Sequence, residues 1–375
     1  MNTIQIINAK WWNAEAAYAY ALARGLVKSG HGVTLIVLPD KAVAEKAKRD
    51  DIPTIETWAL NRFNPLEVVS FFFTLLKIIN KKEIDVINCH RSDGYPIVAL
   101  AARLSGRKPA LVRTRGDQRQ VRKDLFNRFI YTRLTDAIIT SGEVVKRGLV
   151  SRLGLNGSAA KVIYSAVDTG KFSPRPVDDS IRKEFGVSEE APLIAILGRV
   201  SEVKGHRYLI DAAKSVLNDF PGARFLAIVK EEDPNFPILE KQVSELGMGD
   251  KFFFTGFRED LVDLMAACDI GVVSSIGSET NCRVALEWMA MGKPVIGTTI
   301  GVIPEVVVDG ETGLIVPPKD HLAIASALLK LIKDRNLAIE MGKRGKKLVE
   351  DRYNEPLFTS DTLKVYTEAL SKKNY

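Results

Sequence analysis

Along the first half of the chain, apolar residues fall into short runs separated by longer stretches in which they recur every three or four positions. The short runs read as buried strands and the longer stretches as helices with one buried face. Residues 3–8 read as a strand, 14–29 as a helix and 33–38 as a strand. Further strands are expected at 85–88, 110–113 and 137–140, each followed by a helical stretch. The pattern breaks over residues 164–180, where Asp168, Gly170, Pro174 and Pro176 sit among few apolar positions, the composition of a linker. It then restarts, with strands at 193–197, 224–229, 252–254, 270–274, 295–298 and 314–316. Helices are expected at 208–217, 261–267 and 284–291, and helix continues from His321 onward. Repeated strand–helix alternation predicts an α/β fold of two tandem Rossmann-like domains, each a doubly wound parallel sheet, over residues 1–172 and 173–355. Such sheets take ligands at the carboxyl ends of their strands, so two of them facing one another are expected to enclose a cleft.

The length of 375 residues, more than one hydrophobic core usually supports, agrees with two domains. Hydrophobic residues at 46% and charged residues at 26% give an ordinary globular balance. Cys89, Cys268 and Cys282 are an odd, scattered set that forms neither a disulfide framework nor a metal-ligand spacing. Together with an N-terminus that enters a strand directly, without the features of a signal peptide, they predict a cytoplasmic protein. The longest apolar run, residues 68–79 around Phe71, Phe72 and Phe73, contains Ser70, Thr74 and Lys77 and is too short to span a membrane. It reads as a buried amphipathic helix, or as a helix touching the inner membrane face. The net charge of +7 suits an acidic partner, whether nucleic acid, anionic lipid head groups or a phosphorylated substrate.

Two segments carry candidate chemistry. In Leu197-Gly198-Arg199-Val200-Ser201-Glu202-Val203-Lys204-Gly205-His206 a strand ends at Gly198 and a helix begins near Gly205. Gly198 lets backbone approach a ligand, and Arg199 and Lys204 place two cations beside a helix N-terminus, whose free N–H groups favour anions. A diphosphate fits there; a solvated loop with ordinary surface charges fits the same residues. The second segment runs from Gly277 to Pro294. Glu279 lies in a loop after a strand, and Glu287 lies about two turns further on in an otherwise apolar helix. A carboxylate on so apolar a helix needs a partner if buried, and sugar hydroxyls are suitable donors. A helix with one exposed glutamate and a capping residue before it is the plainer reading.

The paired glutamates at 279 and 287 resemble the hallmark of the retaining nucleotide-sugar glycosyltransferases of the GT-B fold, glycosyltransferase family 4. The segment Glu287-Trp288-Met289-Ala290-Met291-Gly292-Lys293-Pro294-Val295-Ile296 is similar to that family's motif, as are Gly301–Val306, Asp309–Val316, the pair Gly198-Arg199 with Lys204-Gly205, and the segment from Tyr164 to Phe172. The likeness covers most of residues 160–355. It implies that Gly198, Arg199 and Lys204 hold the donor diphosphate, that Glu279 orients the donor sugar and that Glu287 binds the ribose. It further implies that backbone amides of Thr280, Asn281, Cys282 and Arg283 meet sugar and phosphate oxygens, and that Phe257 and Arg258 lie near the base. Catalytic roles fall on Glu279, Arg199 and Lys204. No metal or other cofactor is implied, because the two cations neutralise the leaving phosphate, and no Asp-x-Asp pair stands at a strand end. A last helical stretch, residues 356–375, is expected to cross back to the first domain, as in similar proteins. The donor is expected to be a UDP- or GDP-sugar.

The N-terminal half departs from the family pattern. Relatives often carry a glycine pair after the first strand, where this chain has Asn8-Ala9-Lys10-Trp11-Trp12-Asn13-Ala14-Glu15. Trp12 and its neighbour suit stacking on a sugar face or lipid, or a plug over the sheet. Many relatives place a histidine after the strand here spelled Leu111–Arg115, where this chain has Gly116-Asp117, so Asp117 is a candidate substitute in catalysis. Arg113, Arg115, Arg119, Arg122 and Lys123 form a basic stretch suited to phosphate or carboxylate groups. It resembles lipopolysaccharide-core glycosyltransferases, which implies a glycan or anionic glycolipid acceptor held by Arg113, Arg115, Arg119, His90 and Trp12, in cell-envelope synthesis. Nucleic acid is not expected, since no reading helix or aromatic platform accompanies the charges. The competing reading is a nucleotide-sugar-binding protein with lost or altered transferase activity.

Overall fold

The computed structural model describes residues 1–373 except 62, 63, 118, 120, 189, 230–232 and 257. The chain forms two compact units, one from Met1–Ala166 with the segment beginning at Glu355, the other from Val167–Asn354.

The first unit is built on strands β1 (Asn2–Ile7), β2 (Gly32–Val37), β3 (Thr54–Glu56), β4 (Val86–Cys89), β5 (Ala110–Arg115), β6 (Ala137–Thr140) and β7 (Ala160–Val162). They form a parallel sheet in the order β3-β2-β1-β4-β5-β6-β7. β1 lies between β2 and β4, with Ile4 opposite Thr34 on one side and Ile87 on the other. The chain therefore winds outward one way from β1 and then the other, and a crevice opens at the carboxyl end of β1. Helices cover both faces. Ala16, Ala19, Leu22 and Leu26 of the helix Ala14–Lys28 pack on one, joined by Phe358, Val365 and Tyr366 of the helix Glu355–Ser371. Phe71, Leu75 and Ile79 of the helix Pro65–Lys81 pack on the other, with Val98 and Ala102 of Tyr95–Leu104 and with Ile130 and Tyr131. Residues 68–79 thus do bury one side of a helix. The C-terminal helix is tied in tightly: Phe358 meets Tyr18 edge-on with ring centroids 4.7 Å apart, and Gly25 leaves room for Thr359 where any side chain would collide.

The second unit carries β8 (Leu193–Leu197), β9 (Arg224–Ile228), β10 (Phe252–Thr255), β11 (Ile270–Val273), β12 (Val295–Thr298) and β13 (Gly313–Val316). Their order is β10-β9-β8-β11-β12-β13, all parallel, the doubly wound arrangement with its switch point between β8 and β11. Ile194, Ile196, Phe225, Val272 and Ile296 fill the core beneath the helices.

Candidate functional site

In the second unit the sheet's switch point is where the two sequence motifs meet. β8 ends at Leu197, and Gly198 follows with φ +156° and open space where a side chain would stand. Arg199 is exposed and has no ion pair among the described residues. A single turn, Glu202–Lys204, leads to Gly205, whose left-handed φ of +69° starts the helix His206–Asp219. A side chain at 205 would run into the Ser274 carbonyl, so the β8 loop and the end of β11 approach as closely as glycine permits. Ser274 Oγ secures the approach, donating to the carbonyls of Lys204 and Gly205 at 3.2 and 3.0 Å.

This contact brings Lys204 to Glu279. Lys204 Nζ lies 2.6 Å from Glu279 Oε2, which also accepts from Ser275 Oγ at 2.9 Å. Ser275 is in turn fixed by Thr298 Oγ1, which donates to its carbonyl at 2.5 Å. The Glu279 carboxylate is buried, and its backbone carbonyl accepts from Val302 N–H at 2.9 Å. A small pocket opens here, lined by Leu197, Lys204, Ser274, Ser275, Glu279 and Cys282. The loop that carries Glu279 holds two non-glycine residues at positive φ, Ser278 at +48° and Cys282 at +44°. Such backbone costs of order 1–3 kcal/mol per residue and persists only where the surroundings enforce it. It delivers the chain into the helix Arg283–Ala290, whose first turn no side chain caps. Thr280, Asn281 and Cys282 are buried at that helix head. Burial drives the Cys282 thiol well above its ordinary pKa, so it stays protonated and serves as packing.

Glu287 lies in the same helix, buried, and its partner is Arg283 Nε at 2.7 Å. Trp288 beside it packs against Gly271, where no side chain would fit. The structure thus joins Lys204 and Glu279 directly, sets Glu287 on the helix that begins at the pocket, and leaves Arg199 in solvent on the adjoining loop. Arg258 is held by its neighbours, 2.6 Å from Glu184 and 2.6 Å from Asp260. Phe257 lies outside the described residues. The serines and Thr298 that brace the pair escaped sequence reasoning; the Ser-Ser step just after β11 was the available signal. His206 escaped it too. Buried near Lys204, it is pushed down to about 4 by burial first and by that cation second, and so it is neutral at pH 7.

In the first unit the expected acceptor residues separate. Arg113 is wholly buried, donating to the Cys89 carbonyl at 2.8 Å and to that of Thr114, with its guanidinium 5.6 Å from the Tyr95 ring. His90 is buried as well, 3.1 Å from Gln5 Oε1, and burial lowers it to about 3. Neither side chain presents surface to an acceptor: Arg113 lies on β5, a central strand covered on both faces, and His90, just past the end of β4, is turned onto Gln5 of β1. Arg115, also buried, pairs with Asp117 at 3.0 Å and donates to the Arg119 carbonyl at 2.6 Å. Arg119 is exposed, and so in part is Trp12, which meets Tyr20 edge-on and carries Lys46 Nζ 4.7 Å above its ring. The missed feature here is Glu15, in the first turn of the helix Ala14–Lys28 and 2.7 Å from Arg91. Burial raises its pKa, with Arg91 opposing and Asp117 adding to the rise. No cluster of three or more His, Cys, Asp or Glu suited to a metal occurs among the described residues.

Two Rossmann-like units with parallel sheets of seven and six strands are the architecture of the GT-B glycosyltransferases. The chain is similar in fold to a glycosyltransferase from Rickettsia africae, with a TM-score of 0.90, 21% identity and 98% of each chain covered. It is similarly close to Anabaena HepE in complex with UDP, with a TM-score of 0.83, 20% identity and 98% and 100% coverage. HepE has also been solved with UDP-glucose.

In sequence, residues 177–348 match the family described as glycosyl transferases group 1, and residues 16–171 match glycosyltransferase family 4. The chain therefore carries glycosyltransferase family domains in both halves. Among characterised relatives, N-acetyl-alpha-D-glucosaminyl L-malate synthase of Bacillus anthracis is 27% identical over 210 residues, 56% of this chain and 54% of that enzyme. The chain thus spans about half the length of this relative.

Proposed function

We propose that this protein transfers a hexose or related sugar from a UDP-sugar to an acceptor hydroxyl with retention of anomeric configuration. The observation that carries the reading is the Lys204–Glu279 pair at the switch point of the second sheet, beside two helix N-termini that no side chain caps. Anions are favoured at such helix ends, and Lys204 and Arg199 add positive charge to the same loop. As the bond between the anomeric carbon and the diphosphate oxygen breaks, negative charge grows on that oxygen, and fixed cations and N–H groups lower its energy most there. Glu279 then has two tasks. It holds Lys204 in place, and its carboxylate accepts from donor-sugar hydroxyls. The acceptor oxygen attacks the anomeric carbon on the face that the diphosphate leaves, and its proton passes to the departing phosphate oxygen. Retention follows from attack on that face. GDP-sugars remain within the reading, because the residues above contact diphosphate and sugar, not base.

Lys204 and Arg199 supply the charge neutralisation that a divalent cation gives elsewhere, so transfer is expected to persist in EDTA. An acceptor of the cell envelope, a glycan or an anionic glycolipid as in lipopolysaccharide, suits the exposed cations Arg119, Arg122 and Lys123. The test is product analysis. Incubation with UDP-sugars and a panel of glycan and glycolipid acceptors should yield a product whose anomeric proton coupling by NMR matches the donor's. An inverted product would overturn the mechanism.

A second reading is a nucleotide-sugar-binding protein without turnover. It is favoured by the Trp11-Trp12 loop, where relatives have glycines, and by Asp117, which is tied to Arg115 where many relatives have a histidine. Calorimetric donor binding with no product across the acceptor panel would establish it.

A further inference from the structure

One side of the first unit's sheet is covered by helices with unusually apolar outer faces. The helices Pro65–Lys81 and Tyr95–Leu104 and the segment leading to Ile130 and Tyr131 all feed the same core cluster, so they lie side by side over that face. Their opposite sides face solvent. On the first, Leu66, Val69 and Phe73 form a stripe at helical spacing, with Leu66 82% exposed and Phe73 64%. Leu100 is exposed on the second. The short helix Leu125–Phe129 buries none of its residues and exposes Leu125 to 85%, together with Phe126 and Phe129. Exposed large apolar side chains scattered singly are normal, but gathered on adjacent helices they mark an interaction surface.

The charges around them are mostly positive. Lys77 stands one turn beyond Phe73, and Arg122, Lys123, Arg128 and Arg133 surround the short helix. All five are exposed, and none has an ion pair among the described residues. Two carboxylates stand among them, Asp124, which accepts from Asn127 N–H at 2.7 Å and lies near Arg122, and Glu67, which accepts from Asn64 at 3.0 Å; the five cations outnumber them. Elsewhere in this unit Arg91, Arg103 and Arg107 each pair with a carboxylate. No helix among the described residues is long and apolar enough to cross a membrane.

We infer that this face docks on a lipid surface rich in anionic phospholipid. Phenylalanine and leucine side chains enter the boundary between head groups and acyl chains while the free arginines and lysines sit among the phosphates. A second copy of the chain is disfavoured as the occupant, because the same basic rim would meet itself. The inference does not depend on the transfer reaction.

The test is flotation of the full-length protein with vesicles of phosphatidylcholine, with and without phosphatidylglycerol. Binding should require phosphatidylglycerol and weaken as salt rises. Replacing two exposed cations, Arg122→Ala with Lys123→Ala, should weaken it about twenty-five-fold, taking roughly five-fold for each cation at the surface. Phe126→Ser with Phe129→Ser should weaken it by at least about ten-fold through lost apolar insertion. Leu322→Ser, at an exposed leucine of the second unit, should leave it unchanged, and thermal melting of each variant confirms folding. Absence of binding, equal binding to neutral vesicles, indifference to both double variants, or an equal loss in the Leu322 variant would each overturn the proposal. So would a concentration-dependent dimer, seen by sedimentation, that Phe126→Ser with Phe129→Ser abolishes.

Discussion

Lys204 and Glu279 pair at 2.6 Å, with only the lysine partly open to solvent. Removing either partner of such a pair leaves a charge without its counterpart. Lys204→Ala should therefore lower kcat/KM by roughly 10²–10³-fold, the range found when one preorganised donor to developing charge is lost. It should also weaken UDP binding, seen as a smaller UDP-induced rise in Tm. An unchanged kcat/KM would remove Lys204 from the mechanism. Gly205 behaves differently. Its φ of +69° and its contact with the Ser274 carbonyl mean that Gly205→Ala strains the backbone and separates the two loops. A loss of about 1–3 kcal/mol is expected in denaturant titration, with UDP binding weakened in parallel. The histidines set the acid response. His90 at about 3 and His206 at about 4 both lie below the ordinary 6.5, so the unfolded chain takes up protons before the folded one as pH falls. Their stabilisation is complete above about pH 6.5 and declines from there toward pH 4, at up to roughly 1.4 kcal/mol per pH unit for each. Melting curves should show that decline, and His90→Asn should make it shallower for the first unit. At this scale the sequence was readable where spacing carried the chemistry, as in the glutamates at 279 and 287. It misled where charge was counted without strand position. Arg113 and Arg115 look like part of a basic surface, yet they sit on a central parallel strand whose residues are all buried.

The helix Glu355–Ser371 shows what an element contributes beyond its own turns. Tyr366 OH accepts from Asn88 Nδ2 at 2.8 Å and from Gln5 Nε2 at 3.2 Å, all within the buried core of the first unit. Tyr366→Phe would leave two buried amides without that acceptor. A loss of about 1–3 kcal/mol is expected, read as a lower denaturant midpoint at unchanged slope. Most strands were legible, because a buried parallel strand is a run of Val, Ile and Leu bounded by polar residues. β3 and β7 were not: each has three residues, and Thr54–Glu56 and Ala160–Val162 hold too few apolar positions to show a period. The stretch 164–180 reads as a linker, yet it includes Val167 bridged to Asn354 and the short helix Asp179–Glu184 opens at its end. Only long-range pairing, invisible in a local window, distinguishes such a segment from open loop.

For the molecule as a whole, the division of labour should be separable. The second unit is continuous from Val167 to Asn354 and holds the Lys204–Glu279 pocket entirely within itself. A fragment of residues 167–354 is expected to melt cooperatively and to keep a UDP-dependent rise in Tm, whereas residues 1–166 alone, lacking Phe358 and Tyr366 from their core, are expected to be unstable. A fragment 167–354 blind to UDP would place the nucleotide elsewhere.

That discontinuity has a consequence for biosynthesis. A ribosome releases the strands of the first sheet early, but their closing helix is encoded after the entire second unit. At about 5–20 residues per second the nascent first unit waits on the order of tens of seconds with Ala16, Leu22 and Gly25 lacking their cover. The lobe made second thus matures first, and the waiting apolar groove is where a chaperone would be expected to bind during translation.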